Sequence, residues 1–364
     1  MNKLTSEIEK IQLEASVPYL DVVCCKENQE IYRYLSKGAT GKETLAMFSM
    51  SKPITSVCAM TLVEEGKLSL DDFVEDYLPE IKNAFTLVDD KPFPVKNKMT
   101  IRHLFTMTGG FSYRTITPSI TQMKEKTNYK GNLRDFIGAF IKEPLLFEPG
   151  KQFCYSLCLD VLAGAIEVIE GKKFSQVVKE RIFDPLEMNN STFDNSITEY
   201  APYYRINENG KLEQANVNMW PLLTPLYESG GAGLVSTVDD YVKFAKMLAN
   251  GGVGENGNRI LKEQTIKEIA SCQIDQVSLN NNFTCLQGDD YSYGLGMRVR
   301  KVATDWGLPK GEFGWDGALG GFLLIDPVNK VSVVMGMHLG NWVKVWEGKH
   351  LLVTQKLYEN LFNK

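Results

Sequence analysis

Ser49 and Lys52 stand three residues apart in Phe48-Ser49-Met50-Ser51-Lys52-Pro53-Ile54-Thr55, at the head of an apolar, helix-patterned run. On a helix, residues at i and i+3 share a face, so the lysine nitrogen can approach the serine hydroxyl. A serine hydroxyl is a poor nucleophile until a base takes its proton. A lysine serves as that base when burial or a nearby cation lowers its pKa. The free amides of a helix N-terminus suit a developing oxyanion. Taken alone, the same four residues equally describe a capping serine followed by a surface lysine. Other chemistries find little material in the chain. Its 3 histidines, His103, His338 and His350, form no HExxH or clustered His/Asp set, so no metal is expected. There is no GxSxG elbow, and a Ser-His-Asp triad has few histidines to draw on. The pair Asp71-Asp72 reads as a solvated loop or helix cap rather than an acid/base couple. The 7 cysteines are odd in number and lack CxxC spacing, which reads as reduced thiols.

The elements that must position these residues can be read from apolar period and turn chemistry. The first 15 residues place Leu4, Ile8, Ile11 and Leu13 at helical spacing. Segments 17–25 and 31–34 read as a strand hairpin, and 50–65 as a helix stopped by Gly66, with Pro53 tolerated in its first turn. From about 76 to 200 helical patterns and turns dominate, including helices over 133–142 and 159–171. A loop-rich stretch follows to 232, then helices over 237–249 and 262–271 and a polar loop over 272–290. Strands are expected over 293–301, 311–316, 319–325 and 331–338, with a hairpin turn at Asp326–Lys330. A closing helix is expected over 342–361. This order predicts one sheet built from both ends of the chain. The core comprises residues 1–75 and 230–364, and a helical lobe is inserted at 76–229, with the site in the cleft between them. The 364 residues suit such a two-part molecule. Net charge is −5, with both signs interspersed, which leaves no basic footprint for nucleic acid or an anionic membrane. The polar start and the lack of a long apolar run predict a cytoplasmic protein with no membrane partner.

Several motifs in order resemble the serine β-lactamase-related superfamily, in the branch of class C β-lactamases, D-alanyl-D-alanine carboxypeptidases and family VIII carboxylesterases. The resemblance runs from about residue 17 to 338. It begins with the Ser-x-x-Lys stretch quoted above and continues through Glu65–Asp72, Tyr77-Leu78-Pro79 and Thr100–Gly110. It then takes in Glu148-Pro149-Gly150, Phe153-Cys154-Tyr155-Ser156 and Ser229–Asp240. It implies an α+β, β-lactamase/transpeptidase-like fold, with an antiparallel sheet flanked by helices plus a mainly helical lobe. It further implies Ser49 as nucleophile, Lys52 as general base and Tyr155 as proton relay. The backbone amides of Ser49 and Ala318 would form the oxyanion hole, no cofactor would be needed, and His103 would lie in a structural helix.

Two departures from the family pattern bear on substrate. Where the β-lactamases and carboxypeptidases carry Tyr-x-Asn, this chain has Tyr155-Ser156-Leu157, and leucine cannot donate an amide hydrogen bond. Some esterase members show Tyr-Ser followed by Asp-Val-Leu, which Asp160-Val161-Leu162 fits. At the third motif, Trp315-Asp316-Gly317-Ala318 replaces Lys-Thr-Gly or His-x-Gly. That removes a partner for a substrate carboxylate and supplies an apolar wall. Gly317 lets substrate approach the strand. Asp316 would either face the cleft, repelling anions and recruiting an amine, or point away. Substrate contacts are thus expected from Trp315, Gly317, Leu157 and Asp316. The expected function is a serine hydrolase acting by an acyl-enzyme on small or medium carboxylic esters. The alternatives are a β-lactamase or D-amino-acid-specific peptidase or amidase, an acyltransferase, and a non-catalytic binding protein. The partner is a small ester or amide, and pocket shape is expected to depend on 107–130, 200–228 and 272–290.

Overall fold

The computed structural model describes residues 2–195, 199–216, 224–274, 278–279 and 288–362. A helix, α1 (Asn2–Glu14), leads into the hairpin β1 (Asp21–Lys26) and β2 (Gln29–Leu35). A short 3-10 turn over Phe48–Met50 opens α2 (Ser51–Glu64), the helix of the Ser-Lys motif. The helical stretch that follows contains α3 (Cys158–Glu170), and α4 (Val238–Ala249) returns to the sheet. After a short helix, Glu263–Ile269, and a two-residue strand, Ser278–Leu279, come five strands of the sheet: β3 (Tyr291–Tyr293), β4 (Arg298–Arg300), β5 (Phe313–Asp316), β6 (Phe322–Asp326) and β7 (Val331–Gly336). The chain closes with α5 (Lys349–Leu361).

The sheet is seven-stranded and antiparallel throughout, in the order β3-β4-β5-β6-β7-β1-β2. The two chain ends meet where β1 pairs with β7, in the register Val22↔Met335 and Val23↔Val334. Alternate side chains of a strand point to opposite faces, and both faces here are apolar. Val23, Leu323, Ile325 and Val334 join one core with α2, α3 and α4. Val22, Cys24, Phe322, Leu324 and Met335 join the other, under Leu4 and Ile8 of α1 and Val353 and Leu357 of α5. Helix α2 is buried from Ser51 to Leu62, as a helix with protein on every side must be.

The expected strand over 293–301 is corrected to two strands. At Gly294 the chain folds back, with its amide bonded to the Met297 carbonyl at 2.8 Å. Gly296 takes φ +84°, and a Cβ there would lie 1.9 Å from the Ser56 hydroxyl. The single closing helix is likewise two: Val343–Trp346 and α5, broken at Gly348 with φ +72°. Two hairpins lay hidden in stretches read as helical or loop, at Phe85–Pro94 and Tyr203–Ala215. Part of the polar loop expected over 272–290 lies outside the described residues. Among the described residues the cysteines are all free, and no helix is long and apolar enough to cross a membrane.

Candidate active site

The turn that presents Ser49 is held from several sides. Phe48, immediately before it, takes φ +47°, a conformation that costs a non-glycine residue energy and persists only where the surroundings impose it. The Ser51 hydroxyl donates to the Phe48 carbonyl at 2.5 Å and accepts from the Leu234 amide at 2.9 Å. The Tyr241 hydroxyl donates to the Met50 carbonyl at 2.8 Å. From the first turn of α2, the Lys52 Nζ reaches the Ser49 Oγ at 3.1 Å and the Gly231 carbonyl at 2.7 Å. Lys52 is fully buried, so the reading of a surface lysine is set aside.

Tyr155 lies against this pair. The Lys52 nitrogen stands 4.6 Å from the centroid of its ring. Its phenolic oxygen accepts from the Trp315 Nε1 at 2.9 Å. Tyr113 packs on Tyr155 at 5.4 Å between centroids, and its own phenol is pushed well above the ordinary range, first by burial. Trp315, on β5, is 4% exposed and wedged edge-on against Tyr293 at 5.2 Å. The tryptophan is therefore both a wall and a hydrogen-bond donor to the tyrosine.

Asp160, at the start of α3, is the buried carboxylate behind Lys52. It accepts from the Tyr227 hydroxyl at 2.8 Å and from the Ser229 hydroxyl at 2.5 Å. Burial pushes its carboxyl up, while Ser229, Tyr227 and Lys52 oppose that rise. In the sequence Asp160 reads only as part of the Asp160-Val161-Leu162 motif. Tyr113, Gly231 and His350 were not singled out for the site, and each reaches it from a distant part of the chain.

A cleft of about 630 Å³ opens over Ser49. It is lined by Tyr155, Trp315, Asp316, Gly317 and Ala318, by Gly288, and by residues of the 342–351 segment including Trp342 and His350. Of the three segments expected to shape the pocket, only 272–290 contributes here among the described residues, through Gly288. The 342–351 segment, read simply as a closing helix, supplies the far wall instead. Leu157, expected at the substrate, is placed elsewhere. It lines small cavities with Tyr113, Phe140 and Asp160 rather than the cleft, because it stands at the head of α3 packed into the apolar core. Gly317 brings the end of β5 onto the nucleophile turn: a Cβ there would lie 2.7 Å from the Met47 carbonyl.

Asp316 lines the cleft and is also anchored from beneath. Its Oδ1 takes the Arg298 guanidinium at 2.7 Å. Arg298 is 1% exposed and faces Glu312 at 3.8 Å. Asp316 thus presents a carboxylate to the cleft with its counter-charge buried below. His103 sits apart, in the capping box of the helix Ile101–Phe105. Asp71 pairs with Arg102 at 3.2 Å, and Asp72 accepts from the Tyr77 hydroxyl at 2.6 Å; both are structural. Among the described residues no group of histidine, cysteine and acidic side chains could hold a metal ion.

An antiparallel sheet with helices on both faces, a helical lobe, and a serine on the buried helix with a lysine three residues on together define the β-lactamase/transpeptidase-like fold. The chain belongs to the Beta-lactamase family, whose model matches residues 15–353. An uncharacterized protein of Mycobacterium tuberculosis is 28% identical over 320 residues, covering 82% of this chain and 79% of that one. Esterase EstB of Burkholderia gladioli is 26% identical over 313 residues, covering 79% and 75%. Among solved structures, EstCE1, described as a hydrolase with promiscuous acyltransferase activity, superposes with a TM-score of 0.80. It is 24% identical and covers 98% of each chain.

Proposed function

We propose that the chain is a serine hydrolase that cleaves small or medium carboxylic esters through an acyl-enzyme on Ser49. The observation that carries this is the contact of the Ser49 Oγ with the Lys52 Nζ at 3.1 Å, at the floor of a cleft walled by Trp315. In the proposed cycle the unprotonated Lys52 amine takes the Ser49 proton as Oγ bonds to the ester carbonyl carbon. The backbone amides of Ser49 and Ala318 receive the oxyanion. The carbon–alkoxy bond then breaks, and the leaving oxygen takes the proton back from Lys52 by way of Tyr155. Water repeats the sequence on the acyl-enzyme, releasing the acid and restoring Ser49.

Likeness to esterase EstB supports the ester over the amide. So does the lining of the cleft, which among the described residues includes Asp316 and Glu347 but neither lysine nor arginine. A β-lactam or a C-terminal peptide brings a carboxylate, and such a group needs a cation to meet it. The test compares kcat/KM for p-nitrophenyl butyrate and nitrocefin in the wild type and Ser49→Ala. Ester turnover should exceed β-lactam turnover and fall on the order of 10³-fold or more in the variant. Ester hydrolysis that survives in Ser49→Ala would remove the reading, and dominant nitrocefin turnover would reverse the choice of substrate.

A further inference from the structure

Between β5 and β6 the chain turns through Gly317–Gly321, and this turn carries Ala318, an oxyanion donor in the proposed reaction. Most of the turn is tied by backbone alone. The Gly317 carbonyl accepts from the Gly320 amide at 3.0 Å, the Gly321 carbonyl from the Gly317 amide at 2.7 Å, and the Leu319 carbonyl from the Leu339 amide at 3.0 Å. The Gly320 carbonyl is held by a side chain: it lies 2.9 Å from the His350 Nε2 on α5. A carbonyl only accepts, so Nε2 carries the proton.

The imidazole is itself fixed. It is 2% exposed and stacked on Phe322 at 4.7 Å and 15°. Trp342 lies against it at 4.9 Å and Trp346 at 6.0 Å. Phe322 is the first residue of β6, so the ring is clamped to the strand that leaves the turn while Nε2 grips the turn itself. Burial lowers the His350 pKa to about 4, so at neutral pH the ring is the neutral imidazole. His350 also lines the cleft beside Ser49, Trp315 and Ala318.

We propose that His350 is a positioning residue for the oxyanion site, its Nε2–H setting the Gly317–Gly321 turn and with it the direction of the Ala318 amide. The proposal rests on the acyl-enzyme reading given above. Three of the five residues of the turn are glycine, and Gly320 stands at φ +89°. Glycine peptides rotate at little steric cost, so such a turn keeps one geometry only if something holds it. An oxyanion donor is effective because it is already oriented when charge develops, and a small misplacement costs rate rather than binding.

Two variants separate this from a merely structural role. His350→Phe keeps a stacked ring and loses the donor; His350→Gln places an amide N–H near the position of Nε2 and loses the ring. With p-nitrophenyl butyrate, His350→Phe should lower kcat and the acylation burst rate by about tenfold or more, with KM changed less than about threefold. Amide hydrogen exchange should quicken at 317–321 while α1 and α2 stay protected. His350→Gln should recover a substantial part of kcat. Wild-type kcat in His350→Phe would overturn the proposal. So would a loss that His350→Gln does not recover and that comes with faster exchange across the whole sheet. If hydrolysis in the wild type does not depend on Ser49, the acyl-enzyme reading has failed. Exchange at 317–321 then still decides whether His350 holds the turn, and unchanged exchange in His350→Phe overturns it.

Discussion

A buried lysine needs polar partners, and Lys52 has the Ser49 hydroxyl at 3.1 Å and the Gly231 carbonyl at 2.7 Å. Both leave its nitrogen close to Tyr155, whose oxygen is fixed in turn by the Trp315 N–H at 2.9 Å. A neutral hydrogen bond of this kind contributes about 1 kcal/mol. Trp315→Phe removes it and keeps an aromatic wall. It should lower kcat for p-nitrophenyl butyrate by roughly three- to tenfold with KM changed less than about threefold. Steady-state kinetics on the two proteins decides it: a rise in KM at constant kcat would mean that the tryptophan serves only as a wall. At this scale the sequence discloses what is local. Ser49 and Lys52 are three residues apart, so helical geometry alone brings them together. The Trp315–Tyr155 bond spans 160 residues and the Lys52–Gly231 bond 179. No spacing rule reaches that far; resemblance to a family supplies Tyr155, and marks Trp315 only as a departure at the family's third motif, where residue chemistry could not.

The elements matter through the closeness with which two of them meet. β5 ends at Asp316, and the next residue lies against the chain entering α2. The Cβ of an alanine at 317 would stand 2.7 Å from the Met47 backbone carbonyl, and a backbone atom cannot swing aside as a side-chain tip can. Gly317→Ala should therefore push the turn carrying Ala318 away from Ser49. The expected loss in kcat/KM for p-nitrophenyl butyrate is on the order of 10²-fold, with the far-ultraviolet circular dichroism of the folded protein retained. Full activity in Gly317→Ala would show that the two elements have room between them. The strands and long helices around this contact were legible because their apolar periods are plain: α1, α2, α3 and α4 fall within two residues of the expected bounds. The split between β3 and β4 was not. Tyr291 to Arg300 has the apolar and aromatic composition of one buried strand, and the fold-back rests on Gly294 and Gly296, which in sequence read equally as a bulge. The short hairpins at 85–94 and 203–215 were missed for a related reason. Their residues are mostly exposed or half-buried, so they lack the long buried run that marks a core strand.

The two ends of the chain meet where β1 pairs with β7, and two buried histidines tie other segments to the C-terminal part of the molecule. His350 joins α5 to the β5–β6 turn. His338, just after β7, has its Nδ1 3.1 Å from the Ala201 carbonyl, and its Nε2 accepts from the Ala46 amide at 3.4 Å. Burial lowers each pKa from 6.5 to about 4. Between these values the unfolded chain binds protons that the native protein does not. Stability therefore rises with pH across that window, is complete near pH 7, and is lost as pH falls toward 4. The full extent is roughly 3 kcal/mol for each histidine, of which roughly 2 kcal/mol is gone by pH 5. Urea unfolding at pH 7 and pH 5 measures the loss. His338→Gln, which has no proton to gain in this range, should lose roughly 2 kcal/mol less than the wild type between the two conditions, whatever its stability at pH 7. Equal losses in both proteins would mean that His338 binds its proton as readily in the native state as in the unfolded chain and that the acid response comes from His350 and other groups. A smaller loss in the variant would place part of the acid sensitivity in the joint between β7, the strand Leu45–Ala46 and the segment at Ala201. That joint lies next to the turn that presents Ser49, so activity and stability should then fall together as the pH is lowered.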